Sequence, residues 1–286
     1  LREKGFDHIR LPFNVNNSID SNGKLIEEHM QKLDRVIYLA LNAGISLVLD
    51  LHGFKNLNGN YSGTRQDFIS VWTQIAERYE TLPLSIAFEL INEPRVDRTK
   101  SDSNPDPLKR GTLMTLQEDT IAAIRTFKGN KERRIAISTH INMIGEIGSI
   151  TQKLLNTENL ILDIHYYSPM SFSHSGADWI TTVDENGNTV MTYPKGATKF
   201  SDESNKNVMV KLNNFRNQHP NFIVWIGEWG AFNPNYEAKL QYYASITNYA
   251  RQYNIPRALW EYGSAWGPYR SNTDTWIEEI LVAMGL

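Results

Sequence analysis

The sequence contains no cysteine, which removes disulfides, thiolate metal centres and cysteine nucleophiles together. It contains no apolar run near the roughly 18 residues a membrane-spanning helix needs, so a membrane partner is not expected. Charge of one sign is also lacking: the formal net charge is −3. Nucleic acid, which selects a strongly basic face, is therefore not an expected partner either. No basic segment followed by an apolar one marks a secretion signal, and the chain opens on Leu1 rather than on methionine. Leu1 accordingly reads as a cut end.

What is present is ordinary in amount. Hydrophobic residues make up 41% and charged residues 21%, proportions that bury a sizeable core. A length of 286 residues suits one α/β barrel domain. The 7 Trp and 13 Tyr serve equally to fill that core or to offer flat apolar faces to a ligand.

Short β-branched runs alternate with longer amphipathic ones. Strands are predicted at Asp7–Leu11, Ser46–Leu51, Ser85–Leu90, Arg134–Ser138, Leu160–His165, Phe222–Gly227 and Arg257–Trp260. Runs such as "ISLVLDLH" from Ile45 and "FIVWIGE" from Phe222 are almost continuously apolar, as parallel strands buried on both faces require. Helical stripes lie between them at Glu27–Asn42, Gln66–Tyr79, Met114–Phe127, Asn207–Gln218, Tyr236–Tyr253 and Thr275–Met284. Gly44 is the expected C-cap of the first. The alternation implies right-handed crossovers and one parallel sheet, and no strand is followed by the glycine-rich turn of a dinucleotide site. The expected fold is α/β, a TIM (β/α)8-type barrel forming one domain over residues 1–286.

Seven strands are predicted where a full barrel has eight. "LREKGF" reads as the last turn of a helix, so the first strand and most of the first helix are expected to be missing ahead of Leu1. A stave removed from a parallel barrel exposes two strand edges. A homo-oligomer covering those edges is the expectation, with rearranged loops as the alternative. The longest connection, residues 168–205, carries two alternating runs around Asn186-Gly187, a hairpin signal. Such a loop on the C-terminal side of a strand commonly walls an active site.

In a barrel the chemistry gathers at the C-terminal strand ends. There the sequence brings Arg10, His52, Asn92 with Glu93, His165 with Tyr167, Glu228, and Trp260 with Glu261. Two facing carboxylates are the minimum for cleaving a glycosidic bond: one donates a proton to the leaving oxygen, the other attacks or activates water. Glu93 and Glu228 are the candidates. Either alone would pass for a solvent-facing strand-end carboxylate; the pair is harder to dismiss. Arg10 and Tyr167 are expected beside Glu228, holding it ionised.

The segments "GFDHIRLPF", "VLDLHG", "FELINEP", "DIHYYSP", "WIGEWG" and "ALWEYG" resemble glycoside hydrolase family 5, the cellulase-type members of the (β/α)8 retaining glycosidases. The Asn-Glu-Pro and Gly-Glu-Trp-Gly pair is the specific part. The resemblance implies double displacement through a covalent glycosyl-enzyme, with Glu93 as acid/base and Glu228 as nucleophile. It further implies Asn92 on the sugar 2-hydroxyl, Arg10 and Tyr167 orienting the nucleophile, and His52 and His165 lining the central subsite. Trp260 would be its stacking platform. Retention also implies carboxyl groups about 5–5.5 Å apart. No cofactor is required, and the lack of a His-x-His on the first strand argues against a metal hydrolase.

Three departures from the family pattern stand out. Its glycine-rich first strand is absent, Gly53 stands where many relatives have a second His, and "ISTHINM" has His140, Asn142 and Met143 where many have Trp. Among the rings, Trp72 and Trp225 are expected in the core and Trp229 in a structural role, while Trp179 is an expected sugar platform. The leading expectation is a retaining endo-β-1,4-glucanase acting on β-linked oligo- or polysaccharide in a secreted or periplasmic setting. The alternatives are an exo-acting β-glucosidase or β-mannanase on the same site, or a non-catalytic carbohydrate-binding truncated barrel.

Overall fold

The computed structural model describes residues 1–96 and 108–286. A short 3-10 turn, Arg2–Lys4, precedes β1 (His8–Phe13), α1 (Glu27–Asn42), β2 (Ser46–Leu51) and α2 (Tyr61–Arg78). Next come β3 (Ile86–Glu89), α3 (Arg110–Ile124), β4 (Ile135–Ser138), α4 (Gln152–Leu155) and β5 (Leu160–Tyr166). After a helical turn α5 (Met170–Ser173), the hairpin β6 (Thr181–Val183) and β7 (Thr189–Met191) leads to α6 (Asp202–Gln218). The chain closes with β8 (Phe222–Trp229), α7 (Tyr236–Gln252), β9 (Arg257–Leu259), β10 (Tyr269–Arg270), β11 (Thr275–Trp276) and α8 (Glu278–Met284).

Seven strands form one sheet in the order β1-β2-β3-β4-β5-β8-β9, and the described ladders in it are parallel. This is the alternating strand–helix pattern of the (β/α) barrel class. The inner strands are apolar almost without interruption because both of their faces are covered: β3 and β4 are buried throughout, β2 and β5 all but throughout. The strands terminal in this order, β1 and β9, are only partly buried. All seven predicted strands are found within two or three residues of their expected limits.

The chain folds into two compact units. One comprises Leu1–Ile164 with Gln218–Val224, the other His165–Asn217 with Trp225–Leu286; the boundary falls inside β5 and β8.

In the first unit, α1 buries Met30, Ile37 and Ala40. Gly44, at φ 66, ends it in a Schellman arrangement: Gly44 N–H donates to Leu41 O and Ile45 N–H to Ala40 O. Glycine is favoured there because an L side chain is strained in that region. Trp72 is buried in α2 and donates its indole N–H to Leu90 O. In the second unit Trp225 and Trp229 are buried, the latter against the Tyr243 ring and under Arg257.

Helix limits differ from the periodic stripes where polar chemistry sets them. α6 begins at Asp202, five residues early, because the Asp202 carboxylate accepts from the Ser245 and Tyr249 hydroxyls on α7. Conversely, α8 starts at Glu278, three residues late, because Thr275 and Trp276 pair with Arg270 and Tyr269 as antiparallel strands.

Arg133 is a heavily committed polar side chain of the first unit. It is fully buried, and its guanidinium donates to Asn130 Oδ1 and to the carbonyls of Pro83, Ile86, Tyr79 and Leu82. Burial pulls it down to about 10 from 12.5. It ties the end of α2 to the start of β3. Arg133→Met keeps the apolar stem but strands these acceptors, and should lower unfolding stability in urea by about 3 kcal/mol. Arg133→Lys, lacking the planar fork, should recover only part. A methionine variant as stable as the parent would show that the clamp contributes nothing.

Candidate active site

The polar centre of the first unit starts from register. Asp50 on β2 and Glu89 on β3 are paired neighbours, so two carboxylates stand side by side, both fully buried. Buried anions need a counter-charge, and β1 supplies it. Arg10 donates from Nε and Nη2 to the two oxygens of Glu89 at 2.7 and 2.6 Å, a bidentate fork. The same Nη2 lies 3.0 Å from Asp50 Oδ2 and donates to Asn92 Oδ1 at 2.9 Å. Burial pushes the Glu89 carboxyl well above the ordinary glutamate range; Arg10 opposes this, and the charges of Asp50 and Asp163 add to it.

Arg10 thereby orients two further groups. With its oxygen taken, the Asn92 amide must present its NH2 elsewhere. Asp50 Oδ2 lies 2.6 Å from His52 Nδ1, which makes Nδ1 the protonated nitrogen and turns Nε2 the other way.

Glu93 sits in the turn after β3 with φ 38, a region disfavoured for any residue but glycine. What holds it is a second turn. Glu93 N–H donates to Asn142 Oδ1 at 3.0 Å, and Asn142 Nδ2 donates to Asp163 Oδ2 at 2.5 Å and to Ser138 Oγ at 3.2 Å. The Ser138 hydroxyl returns to Ile91 O at 2.6 Å. Ile141 N–H donates to Pro94 O, and Val96 N–H to His140 Nδ1. His140 is thus bonded to the backbone of the Glu93 turn.

The second unit holds Glu228, the penultimate residue of β8 and almost wholly buried. Tyr167 O–H donates to its Oε2 at 2.8 Å, and His165 Nδ1 lies 3.4 Å from the same oxygen. The Tyr167 ring is set edge-on between His174 and Trp266, with centroids 5.2 and 5.7 Å away. Ser173 Oγ donates to Tyr167 O at 2.5 Å and lies 2.8 Å from His174 Nδ1; its one proton being used, it accepts from His174. Trp179 is 54% exposed and leans on Phe232, ring to ring at 4.7 Å. Trp260, half-buried at the end of β9, donates N–H to Trp229 O. A Cβ on Gly230 would stand 2.5 Å from Trp260 O, so only glycine lets β8 end there. Lys239, buried and held near 8 by that burial, donates to Ala265 O in the segment before Trp266.

The predicted residues therefore fall into two groups. Arg10, His52 and Asn92 join through one buried cation, with Glu93 in the adjoining turn; His165 and Tyr167 meet on Glu228. The reading of strand ends missed Asp50, Glu89 and Asp163, although each is a lone acid inside an apolar run. It also assigned no role to Asn142 or His174, for which no local signal exists.

The profile of the cellulase family, glycosyl hydrolase family 5, matches residues 1–265. Endoglucanase C of Acetivibrio thermocellus is 24% identical, over 92% of this chain and 81% of its own length. The endoglucanase Cel5A of Thermotoga maritima superposes with a TM-score of 0.84 at 25% identity, over 99% of this chain and 87% of that one. The cellulose synthase subunit Z of Clostridioides difficile gives 0.84 at 24% identity, over 99% and 89%. With the family profile matched over residues 1–265, nearly its whole length, the chain belongs to the cellulases of glycosyl hydrolase family 5 and is a glycoside hydrolase.

Proposed function

We propose that this protein is an endo-acting β-1,4-glucanase that works with retention, as one catalytic domain spanning residues 1–286. Glu93 is its acid/base and Glu228 its nucleophile. The observation that carries the reading is the carboxylate of Glu228, buried and held at one oxygen by the Tyr167 hydroxyl. A nucleophile must point in one direction, and this one is held from the side. Glu93 protonates the glycosidic oxygen while Glu228 attacks the anomeric carbon; Glu93, now the base, takes a proton from the water that releases the covalent intermediate. The Asn92 NH2, turned away from Arg10, serves the sugar 2-hydroxyl. His52 Nε2 and His165 line the central subsite, with Trp260 and Trp179 as stacking faces, and Arg10 and Tyr167 orient Glu228. Relatives named endoglucanases support the glucan assignment.

The enzyme's polymeric substrate favours a secreted or periplasmic setting. Among the described residues no helix is long and apolar enough to cross a membrane. The partly buried strands β1 and β9, terminal in the sheet order, support self-association. Light scattering should give at least twice the 32.8 kDa chain mass; a monomer mass would remove the oligomer from the proposal.

Glu93→Ala and Glu228→Ala should each lower turnover of soluble cellulose derivatives by at least about 10²-fold. Azide should rescue the two with opposite products, the β-glycosyl azide from Glu93→Ala and the α-glycosyl azide from Glu228→Ala. Parent-level hydrolysis by both variants would overturn the assignment.

Asn142 acts on Glu93 through the backbone, so its loss should be felt in proton donation. Asn142→Ala should reduce kcat on cello-oligosaccharides about tenfold with little change in KM. On a dinitrophenyl cellobioside, whose leaving group needs no proton, it should remain within about twofold. Equal losses on the two substrates would mark a general disturbance of the fold instead.

A further inference from the structure

Away from the residues given catalytic roles, the first unit contains a groove of about 710 Å³, within the roughly 300–1,000 Å³ of small-molecule sites. Its walls come from the loop after β1, the loop after β2 and the first turns of α2. Phe54 and Lys55 follow His52 by two and three residues, so the groove leaves along the same loop that carries His52 out of β2.

The walls are braced. Asn16 Oδ1 accepts Lys55 N–H at 2.7 Å, joining one loop to the other. The first loop folds back as a bridge between Ile19 and Leu25, and Asp20 Oδ1 accepts from Asn22 and Lys24 N–H inside it. Gln74 of α2 bolts this fold down, accepting Leu25 N–H and donating to Gly23 O. The half-buried Phe54 ring stands edge-on to the fully buried Phe68 at 5.2 Å. A cavity so braced is preformed, which lowers the ordering cost of binding.

Its chemistry is selective. Phe54 offers a fixed flat apolar face. Gln66 and Asp67, exposed on one turn of α2, make no side-chain hydrogen bond among the described residues and so remain available as donors and acceptors. Lining charges cancel, with Lys24 and Lys55 against Asp20 and Asp67, which favours neither anion nor cation. A flat ring, an amide and a carboxylate around a trough of balanced charge suit a polyhydroxylated ligand with an apolar ring face. We propose that this groove is an accessory subsite for neutral hexose units of the glucan chain, lined by none of the residues assigned to the bond that is cut. The proposal rests on the glucanase reading, but Glu93 and Glu228 have no part in it.

Titration calorimetry on the Glu228→Ala protein tests it with cellohexaose and cellobiose as probes. Phe54→Ala, and separately Gln66→Ala with Asp67→Ala, should each weaken cellohexaose about tenfold and leave cellobiose unchanged. In the active parent the same changes should leave kcat/KM on an aryl cellobioside within about twofold while raising KM on cellohexaose. The exposed helix pair covers the possibility that Phe54→Ala disturbs folding. Cellohexaose binding unaffected by either change overturns the groove, as does equal weakening of both sugars or tighter binding of an acidic oligosaccharide than of a neutral one. If the parent neither hydrolyses nor binds cellohexaose, the glucan reading itself has failed; if it hydrolyses normally and the variants bind normally, only the groove has.

Discussion

A single guanidinium organises the interior of the first unit. Arg10 lies against Glu89 and Asp50, and without it two neighbouring carboxylates would be desolvated with no counter-charge, at a cost of several kcal/mol. That cost explains why the acids can stand inside otherwise apolar strands at all. It also explains how the rim is aimed. Asn92 is oriented because Arg10 takes its oxygen. His52 is oriented because Asp50, itself held by Arg10, accepts from its Nδ1–H. Buried ion pairs are poor sources of net stability; here the return is direction, since functional groups with solvated partners would rotate.

The second unit solves the same problem with rings. His165 and Tyr167 meet one oxygen of Glu228; Tyr167 is steered by edge contacts with His174 and Trp266 and by Ser173 on its carbonyl. Aromatic contacts are worth less individually than a charge pair, but they are directional and carry no desolvation penalty. The support continues outward. Tyr243 hydrogen-bonds Trp266 O and Ala231 N–H on either side, and the buried Lys239 holds Ala265 O.

Much of this is legible in the sequence. Strands covered on both faces must be apolar, so "SLVLDL", "LILDIH" and "FIVWIGEW" announced themselves, and the polar residues ending them announced the rim. Helix starts were less legible, because they are set by hydrogen bonds between elements: α6 begins where Ser245 and Tyr249 reach Asp202. Asn142 was seen only as a departure from a family pattern. Its bond to Glu93 N–H spans 49 residues, and nothing in "ISTHINM" tells which backbone amide its side chain will meet. The role of Arg133 is illegible for a related reason: an arginine just ahead of a strand reads as solvent-facing unless the carbonyls around it are known.

The two turns that embrace Glu93 show where stability is spent. Glu93, Ile141 and Asn142 all carry positive φ, and each such residue costs of order 1 kcal/mol or more. These conformations persist because the turns bond to each other as well as to their own strands, through Asn142, Ile141 and His140. Such over-determination ties the Glu93 backbone to β4 and Asp163, well inside the scaffold. The loops after β1 and β2 carry no such strain apart from Asn56, and they are braced by ordinary amide bonds. At 24–25% identity the shared frame still superposes with TM-scores of 0.84, so the frame tolerates wide substitution. The strained turn of Glu93 and the less strained walls around Phe54 are thus held by different means, the first by bonds between turns and the second by bonds within and between loops.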